Sequence, residues 1–280
     1  MSAGTGPLQK RVSICADDFG VSTAGSRGIA ELAGSGRLSA VSCLTTGEPW
    51  LECAPMLADL PAAVERGLHF NLTEGEPLSA ELRRHWPHLP RLSRLVALAH
   101  LGRLPRSAIE QEWQAQLQRF TDRVGAMPCF IDGHQHVHHL PGVRDVVLAA
   151  VVKASGAVAV RNTGCVLGPG HAFKRRLIEC TGGRALQRQL RAQGIRCNRV
   201  LLGAYDFRDP DYRGCMQRWL AAAPVQGSLL FCHPAAQGVA GPDLSDPIGD
   251  ARRREGEYLA SAAFVEDLAA AGVDLGPTWA

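Results

Sequence analysis

Residues 131–139 read IDGHQHVHH, four histidines within six positions behind an aspartate and a glycine. Neutral imidazoles bind divalent cations, and a nearby carboxylate adds the oxygen donor that mixed sites use. Matching chemistry stands elsewhere in the chain. ADDFG holds Asp17 and Asp18, GLHFN holds His69 with Asn71 two residues on, and LLFCHP ends in His233. Each segment alone has an ordinary explanation: an Asp pair can cap the following helix, and a single histidine can be a hydrogen-bonded core residue. Four such segments together point to a metal site.

A cation that keeps positions open for water and substrate takes about three protein ligands. Asp18, His69 and His134 supply one carboxylate and two imidazoles. Asp17 points to the opposite face of an ideal strand. At a strand end that rule loosens, and Asp17 can reach the attacking water as a general base. His233, arriving from another strand end, is placed to protonate a leaving group. Asp132 and His136 are expected to back the ligands rather than bind the ion, and His138 and His139 to back them or lie at the surface. His85, His88, His100 and His171 fall in polar loops or at helix ends and receive no role.

These positions must come from elements that end together. Short apolar runs recur along the chain at 11–16, 38–45, 67–72, 129–134, 157–162, 199–204, 228–233 and 272–275. Their near-continuous apolar content fits strands covered on both faces. Helical stretches fill the gaps. Ser107 with Glu110 reads as a capping box opening a helix that Gly125 closes, with Ile109, Trp113, Leu117, Phe120 and Val124 as its core stripe. Further helices are expected over 22–36, 143–156 and 257–272. The repeat of strand and helix predicts an α/β fold, a single irregular (β/α) barrel over 1–280, with functional groups at the C-terminal ends of its strands. The Pro-, Arg- and His-rich stretch 73–95 reads as a loop inserted over one end of the sheet.

Composition sets the outer limits. The 280 residues are 46% hydrophobic and 20% charged, enough for a large core. Net charge is only +3, and the RRR run at 252–254 reads as a solvated helix face, so nucleic acid is not an expected partner. Nine cysteines, odd in number and without a CxxC, suggest free buried thiols in a reducing compartment. No apolar run approaches a membrane span, and the first ten residues lack the apolar stretch of a signal peptide. The expectation is a cytoplasmic protein without an integral membrane segment.

The segments CADDFGVS, GLHFNLTEG, IDGHQHVH and LLFCHP resemble the signatures of the YdjC-like carbohydrate deacetylases, in family order and across nearly the whole chain. This group includes chitooligosaccharide deacetylase and a hopanoid-biosynthesis deacetylase. The resemblance implies an irregular β/α barrel that removes an acetyl group from an N-acetylated sugar with one divalent metal ion. That ion is magnesium by resemblance, while zinc, manganese and nickel also suit mixed nitrogen and oxygen ligands. It assigns the metal to Asp18, His69 and His134, the base to Asp17 and the acid to His233. Arg161, at the end of the fifth strand, becomes a substrate contact by the same resemblance, and a homodimer is implied. Asn71 is counted with the substrate contacts, and Trp86, inside 73–95, is a candidate aromatic wall for a sugar ring. One departure stands out: Gly133 replaces the serine common before the metal histidine.

Three other classes compete. The amidohydrolase superfamily places a His-x-His pair after its first strand, whereas here it follows the fourth. Non-haem iron oxygenases use two histidines and a carboxylate, usually on a β-sandwich. A non-catalytic sugar-binding protein would need neither base nor acid.

Overall fold

The computed structural model describes residues 9–154, 157–236 and 246–279. Within them the apolar runs form eight parallel strands: β1 (Lys10–Phe19), β2 (Ala40–Cys43), β3 (Glu65–Phe70), β4 (Phe130–Gly133), β5 (Ala159–Val160), β6 (Val200–Leu202), β7 (Ser228–Cys232) and β8 (Val273–Leu275). The sheet order is β5-β4-β3-β2-β1-β7-β6, with β8 on the N-terminal end of β1. The two edges approach each other. Val166 bridges Leu201, and the Leu201 amide donates to the Cys165 carbonyl at 2.9 Å. The result is the curled parallel sheet that the alternating pattern predicts.

Eleven α-helices are present among the described residues: α1 (Thr23–Gly34), α2 (Trp50–Cys53), α3 (Ala80–His85), α4 (Leu92–His100), α5 (Arg106–Val124), α6 (Val143–Lys153), α7 (Ala172–Ile178), α8 (Arg184–Ala192), α9 (Tyr212–Ala222), α10 (Gly249–Ala260) and α11 (Ala262–Ala270). Ile109, Trp113 and Phe120 of α5 are buried as its stripe requires, and Gly125 ends it with φ 74°. Phe70 meets Trp113 edge-on at 5.1 Å, which seats α5 against β3.

Local signals failed in several places. The helix α5 begins at Arg106, with Pro105 before it and no side-chain cap; Glu110 pairs with Arg106 at 3.1 Å instead of closing a capping box. The aspartate pair caps nothing: Ser22 accepts from the Gly25 amide at the start of α1. The expected helix over 257–272 breaks at Ser261, whose extended backbone (ψ 161°) ends α10 and caps α11. The last two residues of the helix expected over 143–156 lie outside the described residues.

The 73–95 stretch is not a plain loop. It contains α3 and the start of α4, and Glu112 of α5 anchors it from the core by accepting the Leu78 and Ser79 amides at 3.1 and 2.8 Å. All nine cysteines are free; five are buried, while Cys129 and Cys180 are exposed.

Candidate active site

The site forms where β1, β3, β4 and β7 end. In β1 the pairing register slips between Ala16 and Phe19, and Asp18 takes φ 69° within the slip. A bulge of this kind re-aims side chains. It frees the aspartate pair from strict alternation, so Asp17 and Asp18 both line one cavity of about 1130 Å³. Non-glycine residues rarely adopt this conformation, and the strain sits on a cluster residue.

Asp18 is the centre of a buried cluster. Its Oδ1 lies 3.3 Å from His69 Nε2 and 3.0 Å from His134 Nδ1. One donor atom from each of these three residues falls within 4.8 Å of the others. The opposite nitrogen of His69 is engaged from behind: Nδ1 lies 2.7 Å from Asp132 Oδ1, which also accepts from Ser42 Oγ at 2.5 Å. A carboxylate behind an imidazole fixes the ring and strengthens the forward nitrogen as a ligand. Three converging donors, two nitrogens and an oxygen, with this backing, fit a divalent cation.

Electrostatics agree with the fit. Burial works against a charged Asp18, yet Arg252 and the two imidazoles outweigh it and hold the carboxyl well below the usual range. Burial also opposes protonation of His69 and His134, but the Asp132 and Asp18 carboxylates override it and raise them to about 10 and about 9. The cluster is therefore avid for positive charge. A cation that entered would release these protons.

Beneath this cluster lies a second ion-paired layer. Arg161, fully buried, donates Nη1 to Asp17 Oδ2 and Nη2 to Asp17 Oδ1, both at 2.6 Å, and also pairs with Asp132. Burial opposes ionisation of Asp132, but Arg161 and His69 pull it down to about 2. Arg161 is not on the cavity wall. The expected substrate contact is instead a clamp that orients Asp17.

His233, on the cavity wall, packs edge-on against Phe207 and Phe231 at 5.2 and 5.6 Å. Burial between these rings pushes it down to about 4, so it is neutral near pH 7. Its backbone amide donates to Glu255 Oε2 of α10 at 2.5 Å. Close approaches hold the segment after β7 in place: a Cβ on Gly28 of α1 would meet the Ala236 nitrogen at 2.2 Å, and one on Gly256 of α10 the Ala235 oxygen at 2.1 Å.

Asp132 stands behind His69 as anticipated. His136 lines the cavity, and burial depresses it well below the normal histidine range. His138 is buried, with Nε2 2.9 Å from the Arg161 carbonyl; burial pushes it down to about 4. His139 pairs with Thr163 at 2.9 Å, so neither of the last two is a surface residue. Asn71 folds back on its own turn, donating to Thr46 Oγ1 at 2.8 Å and accepting from the Thr73 amide at 3.0 Å. It does not line the cavity that holds Asp17 and Asp18. Trp86 is 8% exposed and belongs to the apolar core, which corrects its assignment as a sugar platform. Gly133 leaves room that His138 fills: a Cβ there would lie 2.8 Å from the His138 nitrogen.

Two residues at the site escaped the sequence reading. Arg252 of α10, in an RRR run whose composition predicts a solvated face, is largely buried and donates to Asp18 Oδ2 at 2.6 Å, with Asp246 on its other side at 2.8 Å. Glu74, inside the 73–95 stretch, brings Oε1 to 3.2 Å from His134 Nε2. Only a charged position at the start of that stretch hinted at Glu74, and nothing local hinted at Arg252.

A curled parallel sheet with buried acids and imidazoles at its C-terminal face defines a β/α protein whose candidate site lies where such folds place them. The chain belongs to the YdjC-like protein family, whose model matches residues 11–270. Among curated proteins, a chitooligosaccharide deacetylase of Enterobacter sp. (strain 638) is 34% identical over 158 residues, 55% of this chain and 60% of its own. A carbohydrate deacetylase of Mus musculus is 36% identical over 148 residues, 50% of this chain and 47% of its own. The matched region thus spans about 60% or less of these relatives. Among solved structures, a candidate cellobiose-phosphate cleavage protein from Enterococcus faecalis V583 aligns with 96% of this chain and 97% of its own. Its TM-score is 0.71 at 22% identity, which establishes a shared fold. No helix among the described residues is long and apolar enough to cross a membrane.

Proposed function

We propose that this chain hydrolyses the N-acetyl group of an N-acetylated sugar, releasing acetate and the free amine, with one divalent metal ion held by Asp18, His69 and His134. The observation that carries this reading is the convergence of that cluster, Asp17 and His233 on one cavity. The names of the curated relatives support the same activity. When bound, the ion polarises the acetamide carbonyl and acidifies the attacking water.

The chain's own groups then divide the proton work. Asp17 accepts the proton of the attacking water. Each of its oxygens keeps a lone pair free of the Arg161 fork, so orientation by Arg161 does not block that role. The C–N bond breaks as the amine gains a proton from the imidazole of His233. Because burial keeps His233 neutral at rest, the proton it delivers to the amine is replaced by the one Asp17 takes from the attacking water, so both groups end the cycle as they began it. Phe207 and Phe231, not Trp86, offer apolar surface to the C–H faces of a sugar ring. Two imidazoles in the donor set favour zinc, manganese or nickel over magnesium, which prefers oxygen ligands.

The test is acetate release from a panel of N-acetylated mono- and oligosaccharides by metal-loaded protein. Release from at least one N-acetyl sugar is expected. Release from O-acetyl esters alone would keep a deacetylase and discard this substrate.

A further inference from the structure

Positive charge is concentrated in one segment. Residues 171–196 contain seven Lys or Arg and one acid, Glu179, a net +6, whereas the whole chain carries +3. In α8, Leu186 and Leu190 are buried, while Arg184, Arg188 and Arg191 recur at one-turn spacing on the opposite, exposed face. Arg184 is paired with Glu179 at 2.7 Å; Arg188 and Arg191 make no salt bridge among the described residues.

Large apolar side chains lie exposed in the same segment. Phe173 of α7 is 83% exposed and Leu177, one turn on, is 51% exposed, with Arg176 between them. Leu177 also lines the cavity, together with Leu92 and Val96 of α4. His100 Nε2 lies 3.0 Å from the Thr181 carbonyl, tying the end of α4 to the turn between α7 and α8. The neighbouring Leu101 is 66% exposed. Leu92, Val96 and Leu177 give the cavity an apolar wall on α4 and α7, and α8, next in the chain after α7, adds three arginines.

We propose that this α7–α8 face docks on the surface of a membrane containing anionic lipid, with the cavity mouth turned toward it. Apolar residues beside cationic ones on a short helix suit the headgroup boundary, where the aromatic ring leaves water and the guanidinium groups meet lipid phosphates. A nucleic acid would satisfy the arginines but leave Phe173 and Leu177 in water, so the apolar pair selects the membrane. The inference goes beyond the deacetylase reading and does not depend on it.

The experiment is co-sedimentation of the full chain with phosphatidylcholine vesicles and with vesicles that also hold about one quarter phosphatidylglycerol. Binding at least about tenfold tighter to the anionic vesicles is expected, weakening as salt rises. Phe173→Ser with Leu177→Ser should lower it about tenfold or more. Arg176→Gln with Arg188→Gln and Arg191→Gln, surface changes that should leave Tm unmoved, should lower it on the order of 100-fold, at about fivefold per charge. No binding to anionic vesicles at low salt overturns the proposal, as does equal binding by the parent and both variants. Binding to a DNA duplex without binding to vesicles also overturns it, marking a general polyanion surface.

Discussion

Arg161 grips Asp17 through two parallel hydrogen bonds of 2.6 Å, across 144 positions of sequence and with no solvent reaching the guanidinium. The same guanidinium pairs with Asp132, which backs His69. One cation thus orients the proposed base and neutralises the carboxylate behind a proposed metal ligand. Arg161→Ala leaves two buried acids without their partner and should cost on the order of 3–5 kcal/mol, read as a lower Tm. Arg161→Lys keeps the charge but loses the fork, and should fold with reduced kcat and little change in KM. An unchanged Tm in the alanine variant would remove the clamp from the account.

Removal of either imidazole from the cluster should end stoichiometric metal binding. His69→Ala and His134→Ala are expected to bind less than one tenth of the metal bound by the parent in elemental analysis, about what the loss of one ligand in three implies. His138→Ala is the control and should keep its metal, because His138 faces the Arg161 carbonyl. Full occupancy in both ligand variants would mean the ion binds elsewhere.

The neighbouring aspartates should separate cleanly. Asp17→Asn is expected to retain metal and lose activity by ~10²–10⁴-fold, the usual contribution of a general base. Asp18→Asn should lose metal and activity together. The opposite pattern would exchange their roles.

The positions of these groups were largely readable because a strand end is a local feature. Continuous apolar runs identified the strands, and the acids and imidazoles just beyond them fell at one face of the sheet without further information. What escaped was set by distance in sequence. Arg252 pairs with Asp18 across 234 positions, and its RRR context suggested only exposure. Trp86 follows a polar helix in an arginine-rich stretch, so nothing local announced burial; Glu112 on α5 draws that stretch onto the core. Arg161 is legible as a site residue but not as a clamp. A buried arginine and a substrate-binding one look alike until their partners are known.

Glu255 offers a pH test of the support beneath His233. Burial raises its carboxyl to about 7, despite hydrogen bonds from Tyr205 and the His233 amide. An acid raised in the folded state contributes stability that is complete below its unfolded value, near 4.5, and lost as pH climbs through about 7. The parent should therefore lose on the order of 2–3 kcal/mol relative to Glu255→Gln between about pH 4.5 and pH 8.5. Thermal melts of both proteins across that range measure it. Parallel curves would show that Glu255 ionises in the fold as it does in water.

The most direct test of the central claim is acetate and amine release from N-acetylated sugars before and after chelation, with metal content measured in the same samples. The metal-loaded protein is expected to release acetate and free amine in equal amounts, chelation to abolish both, and readdition of one equivalent of a divalent metal to restore them. Acetate release that persists in metal-stripped protein would contradict it. So would a fully metal-loaded protein that binds N-acetyl sugars and hydrolyses none of them.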